Sequence, residues 1–209
     1  ETFAAMGETA TVCEHLHYPL QSGSDRLLAV MHRGYTAERY LERLTEARRH
    51  VSDLAVSTDI IVGFPGETEA DFAATLELVD AARYDAAYTF VFSPRPGTLA
   101  AERADEFVPE AVARERMERL TALVEHHALA RHEARVGRIE EVLVEGPSKK
   151  DPAVVAGRTR QNKLVHFAGE LPAGSLATVE ITRGAPHWLQ GDLVEVLDGP
   201  RGRRTRIPV

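Results

Sequence analysis

At 209 residues the chain is long enough for one domain plus a smaller appendage, and its 44% apolar and 27% charged residues are ordinary for a globular protein. No apolar run approaches the roughly 20 residues of a membrane span, no stretch reads as a secretory signal, and the single cysteine, Cys13, excludes an intrachain disulfide framework or an all-cysteine metal cage and suits a reducing cytosol. The net charge of −7 is uneven: residues 1–135 hold 14 Lys and Arg against 23 Asp and Glu, and residues 136–209 hold 11 against 9, so the two parts are expected to meet different partners.

In chain order, Val12 to Leu20 reads as a short strand, with Cys13 a buried strand residue, followed by the turn Gln21-Ser22-Gly23-Ser24. Ser24 is a good N-cap for a helix through Leu27, Leu28 and Met31, and Gly34 a good C-terminal stop. Thr36 caps a second helix whose apolar positions Tyr40, Leu41 and Leu44 recur at helical spacing. Residues 55–62 follow as a strand, and the run Val56, Ile60, Ile61 and Val62 suits a parallel strand covered on both faces. Gly63, Pro65 and Gly66 then let the backbone approach something bound at the strand's C-terminal end, and Thr68 with Asp71 forms a capping pair for a helix through Phe72, Leu76 and Val79. Ala87 to Phe92 is a further strand, ending in Ser93-Pro94-Arg95-Pro96-Gly97-Thr98. Pro109 opens a long helix to about Arg135, with Val112, Leu120 and Val124 among its apolar positions.

Strand, helix and strand repeating is the parallel crossover unit of an α/β protein. Past Gly137 the pattern changes. Ile139 to Glu145, Val154 to Thr159, Lys163 to Phe167, Leu176 to Thr182 and Leu193 to Leu197 are short strands between Gly, Pro and Asp turns, which predicts a small antiparallel barrel and a domain boundary near residue 136. Residues 1–135 supply only three strands where a βα barrel or doubly wound sheet needs five or more. With Glu1 to Ala10 reading as the tail of a helix, a processed or truncated piece of a larger protein is expected.

Function in βα sheets gathers at the C-terminal strand ends, and three such ends carry polar turns, at 21–24, 63–67 and 93–98. Any one of these alone is most often just a turn; their coincidence points to a ligand site. His15 and His17 share one strand face and resemble half of a metal site, but no third ligand is evident, so packing or substrate-pocket roles are expected. In the barrel, residues 157–167 place Arg158, Arg160 and Lys163 with the Asn162 amide around a turn beside His166 and Phe167. Cations for phosphates and rings for unpaired bases make this a plausible RNA surface, with Phe167 itself reading as core. The tail Arg201-Gly202-Arg203-Arg204-Thr205-Arg206 adds four cations, either a phosphate contact or no more than a chain end.

Together, His17-Tyr18-Pro19-Leu20-Gln21-Ser22-Gly23-Ser24-Asp25, Thr58 to Thr68, and Ser93 to Thr98 resemble the radical S-adenosylmethionine methylthiotransferases. The resemblance spans nearly the whole chain. It implies the second half of a radical domain, built as a partial βα barrel, followed by the small OB-like β-barrel called TRAM, which binds RNA. It further implies S-adenosylmethionine as cofactor, contacted at Gln21, Ser22, Arg33 and Asp59, with Gly63 and Pro65 bringing backbone to the adenine. No ligand role falls to Glu67, which sits one place later than the superfamily's fifth-strand glutamate. The family's two 4Fe-4S clusters are held by cysteines N-terminal to this region, so this chain, with Cys13 alone, is expected to hold neither and to be inactive by itself.

The Arg-Thr-x-x-Asn-Lys pattern at 158–163 resembles the tRNA-modifying branch, which implies methylthiolation at C2 of isopentenyl-adenosine beside the anticodon. The implied partners are a tRNA anticodon stem-loop, the N-terminal domains of the parent chain and an electron donor such as flavodoxin or ferredoxin, in the cytoplasm, with no membrane involved. The rival readings are a sibling enzyme acting on threonylcarbamoyl-adenosine or a ribosomal protein, and a non-catalytic RNA-binding fragment.

Overall fold

A computed structural model describes residues 1–148, 151 and 153–199, and the chain divides into two compact units, Glu1–Arg131 and His132–Val209. In the first, a three-stranded parallel sheet of order β1-β2-β3 is formed by β1 (His15–His17), β2 (Ala55–Val62) and β3 (Ala86–Val91). Helices α1 (Thr2–Glu8), α2 (Asp25–Val30), α3 (Ala37–His50), α4 (Glu69–Ala82), α5 (Leu99–Glu102) and α6 (Glu110–Glu133), with a short 3-10 turn at Ala104–Glu106, complete the element order. Local chemistry explains most boundaries. Ser24 accepts from the Leu27 amide, Thr36 from Arg39, and Thr68 from Asp71 in a reciprocal capping box.

The structure corrects four expectations about these elements. The first strand is only three residues long. Beyond it Pro19 has no amide to give and Leu20 donates to the Thr58 side chain at 2.9 Å, yet the chain still follows β2 through an isolated bridge from Gln21 to Ile60. Cys13 is exposed in the turn before β1 rather than buried in it. Helix α2 ends at Val30 and is closed by His32, which takes the left-handed conformation (φ 55°) two residues before Gly34; the Arg33 amide donates to the Leu28 carbonyl and the His32 amide to the Ala29 carbonyl, a Schellman closure. Val112 is exposed, because the buried stripe of α6 runs through Ala113, Arg116, Leu120 and Val124.

The core of this unit lies on one side of the sheet, where Val56, Ile60 and Val62 meet Tyr40, Leu44, Phe72, Val79 and Leu120. Each such side chain contributes about 1.5–3 kcal/mol by leaving water. Two buried phenols are satisfied in series: Tyr84 donates to Tyr40 at 3.0 Å and Tyr40 to the Tyr18 carbonyl at 2.5 Å. Burial pushes the Tyr40 hydroxyl up to about 12 and Tyr84 higher still. On the other side, β2 is not fully covered as its apolar run predicts. Asp59 and Ile61 are half-buried, and their register partners Tyr88 and Phe90 on β3 are 57% and 52% exposed.

The second unit is a closed barrel of order β4-β5-β6-β8-β7, with β4 (Ile139–Pro147), β5 (Val154–Thr159), β6 (Leu164–Ala168), β7 (Leu176–Ala185) and β8 (Trp188–Asp198). Inward alternation brings Val142, Val144, Val155, Val165, Phe167, Val179, Ile181 and Leu189 into one core. Closure runs through the parallel pairing of β6 with β8, whose other neighbours are antiparallel. The last strand begins five residues earlier than its apolar segment at 193–197 predicts, because Trp188 to Gln190 pair with β7 across a tight turn. Among the described residues no helix is long and apolar enough to cross a membrane.

Candidate functional site

The first unit presents its polar groups on the half-open sheet face and the loops beyond it. His15 Nε2 and His17 Nδ1 both bond Ser57 Oγ, at 3.1 and 2.9 Å, and His17 Nε2 lies 3.4 Å from Asp59 Oδ2. Tyr88 meets the His17 ring edge-on at 6.0 Å. No group of three or more His, Cys, Asp or Glu able to hold a metal ion occurs among the described residues. The Gln21 backbone amide donates to the Asp59 carbonyl at 2.8 Å and the Gln21 backbone carbonyl accepts from the Ile61 amide at 2.9 Å, so Gln21 lies beside Ile60 of β2. Gln21 takes φ 69°, a conformation that a side chain normally avoids.

Arg33 follows the Schellman turn into a cavity of about 480 Å³ that it shares with Val30, Met31, Ile61, Phe64, Leu99 and Arg103. An apolar lining with a few cations is suited to a heterocycle carrying a carboxylate. Phe64 is steadied by Phe92, edge-on at 5.3 Å. Ser22 does not face this cavity. Its side chain is fully buried, with its hydroxyl 3.4 Å from that of Thr75 and accepting from the Ser24 amide. Gly23 is required where it stands, since a Cβ there would lie 2.5 Å from the Ala74 carbonyl of α4.

The Gly63 turn is braced from within. Gly63 (φ 72°) donates to Glu67 Oε2 at 2.9 Å, and Arg116 donates to the same oxygen at 2.8 Å. Burial pushes the Glu67 carboxyl up, opposed by the Gly63 amide and Arg116. Glu67 therefore holds the loop to α6. The Gly63 amide already has a partner, and its Cα faces Ala113, where an added Cβ would come within 3.0 Å; Pro65 is buried in the same turn. Arg116 was not singled out from the sequence, although a cation in register with Ala113, Leu120 and Val124 marks a buried charge that needs a partner.

In the barrel, the turn at 159–163 is anchored from beneath. Arg135 donates to Glu140 at 2.6 Å and to Gln161 at 3.3 Å, all three buried. Asn162 (φ 59°) is exposed at the tip, and its carbonyl accepts from Arg158 at 3.2 Å. Arg158 lies 3.5 Å from Glu145 and Arg160 3.8 Å from Glu141, so carboxylates of β4 offset part of their charge. Lys163 is buried at 4% exposure, turned inward between exposed Asn162 and half-buried Leu164. Phe167 is core, as expected. Arg201 to Arg206 lie outside the described residues.

The radical SAM superfamily model matches residues 1–79, and the TRAM domain model matches residues 133–194. Three similar relatives are each described as a tRNA-2-methylthio-N(6)-dimethylallyladenosine synthase. That of Moorella thermoacetica is 51% identical over 185 residues, covering 88% of this chain and 41% of the relative. That of a Thermoanaerobacter species is 50% identical over 198 residues, with 94% and 42% covered, and that of Kineococcus radiotolerans is 49% identical over 212 residues, with 97% and 40% covered. The chain spans about two-fifths of the length of these curated relatives. Among solved structures, the radical SAM enzyme coproporphyrinogen III oxidase (HemN) of Escherichia coli is similar at a TM-score of 0.49 and 14% identity, over 70% of this chain and 41% of that one, too distant a likeness to bear on fold or function.

Proposed function

We propose that the chain is the C-terminal part of a radical S-adenosylmethionine methylthiotransferase and that the whole protein adds a methylthio group to C2 of isopentenyl-adenosine beside the anticodon of tRNA. The observation that carries this reading is identity near 50% running through both units to relatives of that one description. When bound and reduced, S-adenosylmethionine supplies a 5′-deoxyadenosyl radical; the residues of this chain bind and orient it. The Arg33 guanidinium takes the methionine carboxylate, and the Gln21 amide and Asp59 carboxylate take ribose hydroxyls or the methionine ammonium. The braced turn of Gly63 and Pro65 borders the adenine, and Ser22 shapes the preceding turn.

The residues present do not fit an iron–sulfur cluster, because Cys13 is the chain's one cysteine and no other set of ligands gathers among the described residues. Both 4Fe-4S clusters of the parent enzyme, and the docking of its flavodoxin- or ferredoxin-type electron donor, thus fall to the N-terminal domains, and the chain alone is inactive. The working compartment is the cytoplasm, where tRNA and low-potential donors meet. The barrel grips the anticodon stem-loop through Arg158, Arg160 and the exposed Asn162, while buried Lys163 supports their turn.

The test is the nucleoside content of tRNA from cells whose parent gene carries Arg33→Ala. Loss of the 2-methylthio form with build-up of the isopentenyl form is expected; an unchanged 2-methylthio content at normal protein level overturns the assignment of Arg33.

A further inference from the structure

Strand alternation on the barrel sends Leu189 inward and leaves Trp188 half-buried on the outer face. It is the chain's only tryptophan. The register of β5 on β6 sets Ala156 opposite His166 and Arg158 opposite Leu164, all on the outward face. Ala156 and Leu164 thus form a low apolar floor between taller neighbours. The His166 and Trp188 rings meet edge-on, with centroids 6.1 Å apart and planes at 70°. Pro147, Ala156, Arg158, Leu164, His166 and Trp188 all line one cavity of about 760 Å³, to which the carboxylates Glu145 and Asp151 also belong.

Two details indicate what this cavity takes. His166 Nδ1 has no hydrogen-bond partner among the described residues and is closed to solvent, so a turn of the imidazole is needed for a ligand to satisfy it. At the rim, exposed Arg183 lies over the Trp188 ring at 5.6 Å, and Arg158 stands on the opposite strand, its charge partly met by Glu145. A flat apolar slot, an aromatic wall, an imidazole with an unsatisfied nitrogen and arginines at the rim match a nucleobase with its flanking phosphates. A duplex does not fit, because its bases are stacked on one another and cannot enter a pocket on the side of a strand.

We propose that this cavity is a pocket for one unpaired nucleobase of single-stranded RNA, stacked on Trp188 and bonded at its edge by His166, an inference that rests on the reading of the barrel as RNA-binding. The lone tryptophan makes it directly testable with the full chain. A fluorescein-labelled anticodon stem-loop, a short single-stranded RNA and a blunt RNA duplex are titrated separately. Label anisotropy reports total binding and Trp188 emission reports the pocket.

Saturable quenching by the stem-loop and the single strand, but not by the duplex, is expected. His166→Ala should weaken single-strand binding by about fivefold or more. Trp188→Phe should keep most of the affinity and Trp188→Ala lose it, with circular dichroism confirming that each variant is folded. If anisotropy reports binding while Trp188 emission stays constant and His166→Ala is neutral, the pocket is wrong and the RNA reading survives. If no RNA changes the anisotropy, the RNA reading fails and the pocket with it.

Discussion

Replacing Arg116 with methionine should unfold the first unit more readily than any surface change of equal size. The Arg116 guanidinium donates to Glu67 Oε2 at 2.8 Å and to the Glu67 carbonyl at 3.2 Å, and it lies 5.6 Å from the Phe72 ring centroid. The side chains of Arg116 and Glu67 are only 5% and 1% exposed, so neither charge has water to fall back on. Removing one member of such a buried pair costs about 3–5 kcal/mol, worth on the order of 10 °C in melting temperature for a unit of this size. Loss of the Glu69 contact adds little, because Glu69 is exposed and keeps Arg119.

The pH dependence has a defined sign. Burial already raises the Glu67 carboxyl, and without Arg116 only the Gly63 amide opposes that rise. A carboxyl raised in the folded state holds its proton more tightly there than in the unfolded chain, where it titrates near about 4.3, so stability falls as pH rises through the window above that value. The deficit of Arg116→Met should therefore be largest near neutral pH and shrink toward about pH 4–5, and adding Glu67→Gln should recover part of it. Urea unfolding followed by far-ultraviolet circular dichroism at both pH values measures this. A loss below about 1 kcal/mol, or a deficit that grows in acid, would refute the buried-pair argument.

Asp71 has the opposite sign. Burial alone would raise it, but bonds from Arg26, Ser24 and Thr68 together hold its carboxyl well below the usual carboxylate range. The stability it contributes is present above about pH 4 and fades below it, so Asp71→Asn should cost about 2–3 kcal/mol at neutral pH, and the gap in urea midpoint should close in acid. Gly23→Ala forces a Cβ against the backbone of α4 and should cost at least about 2 kcal/mol in the same assay, whereas Gly34→Ala, with open space around it, should be near neutral. Phe167→Ala should cost about 3–5 kcal/mol in the barrel, read from the unfolding shift of Trp188 emission.

The features legible in the sequence were those decided by neighbours in the chain. Ser24, Thr36 and Thr68 cap helices because a hydroxyl can reach an amide three residues on, whatever the fold. Five short alternating strands between turn residues announced the barrel. What escaped was decided across the fold. Arg116 meets Glu67 from 49 residues away, and Ser22 is sealed under Thr75. Lys163 faces inward and Cys13 outward, because alternation and strand length are set by partners that periodicity alone does not locate. Trp188 stayed hidden because its strand begins before the apolar run that marks it. At the candidate cofactor site the resemblance implied Gln21, Arg33 and Asp59, but the cavity Arg33 lines depends on α5, which no sequence pattern joins to it.

The central claim is methylthiolation of tRNA, and the most direct measurement is mass spectrometry of tRNA nucleosides from the source organism with and without the gene for the parent protein. The account predicts that the 2-methylthio-isopentenyl nucleoside disappears on deletion while its unthiolated isopentenyl precursor accumulates, and that the intact gene restores both. Unchanged levels of the two nucleosides in the deleted strain would contradict it.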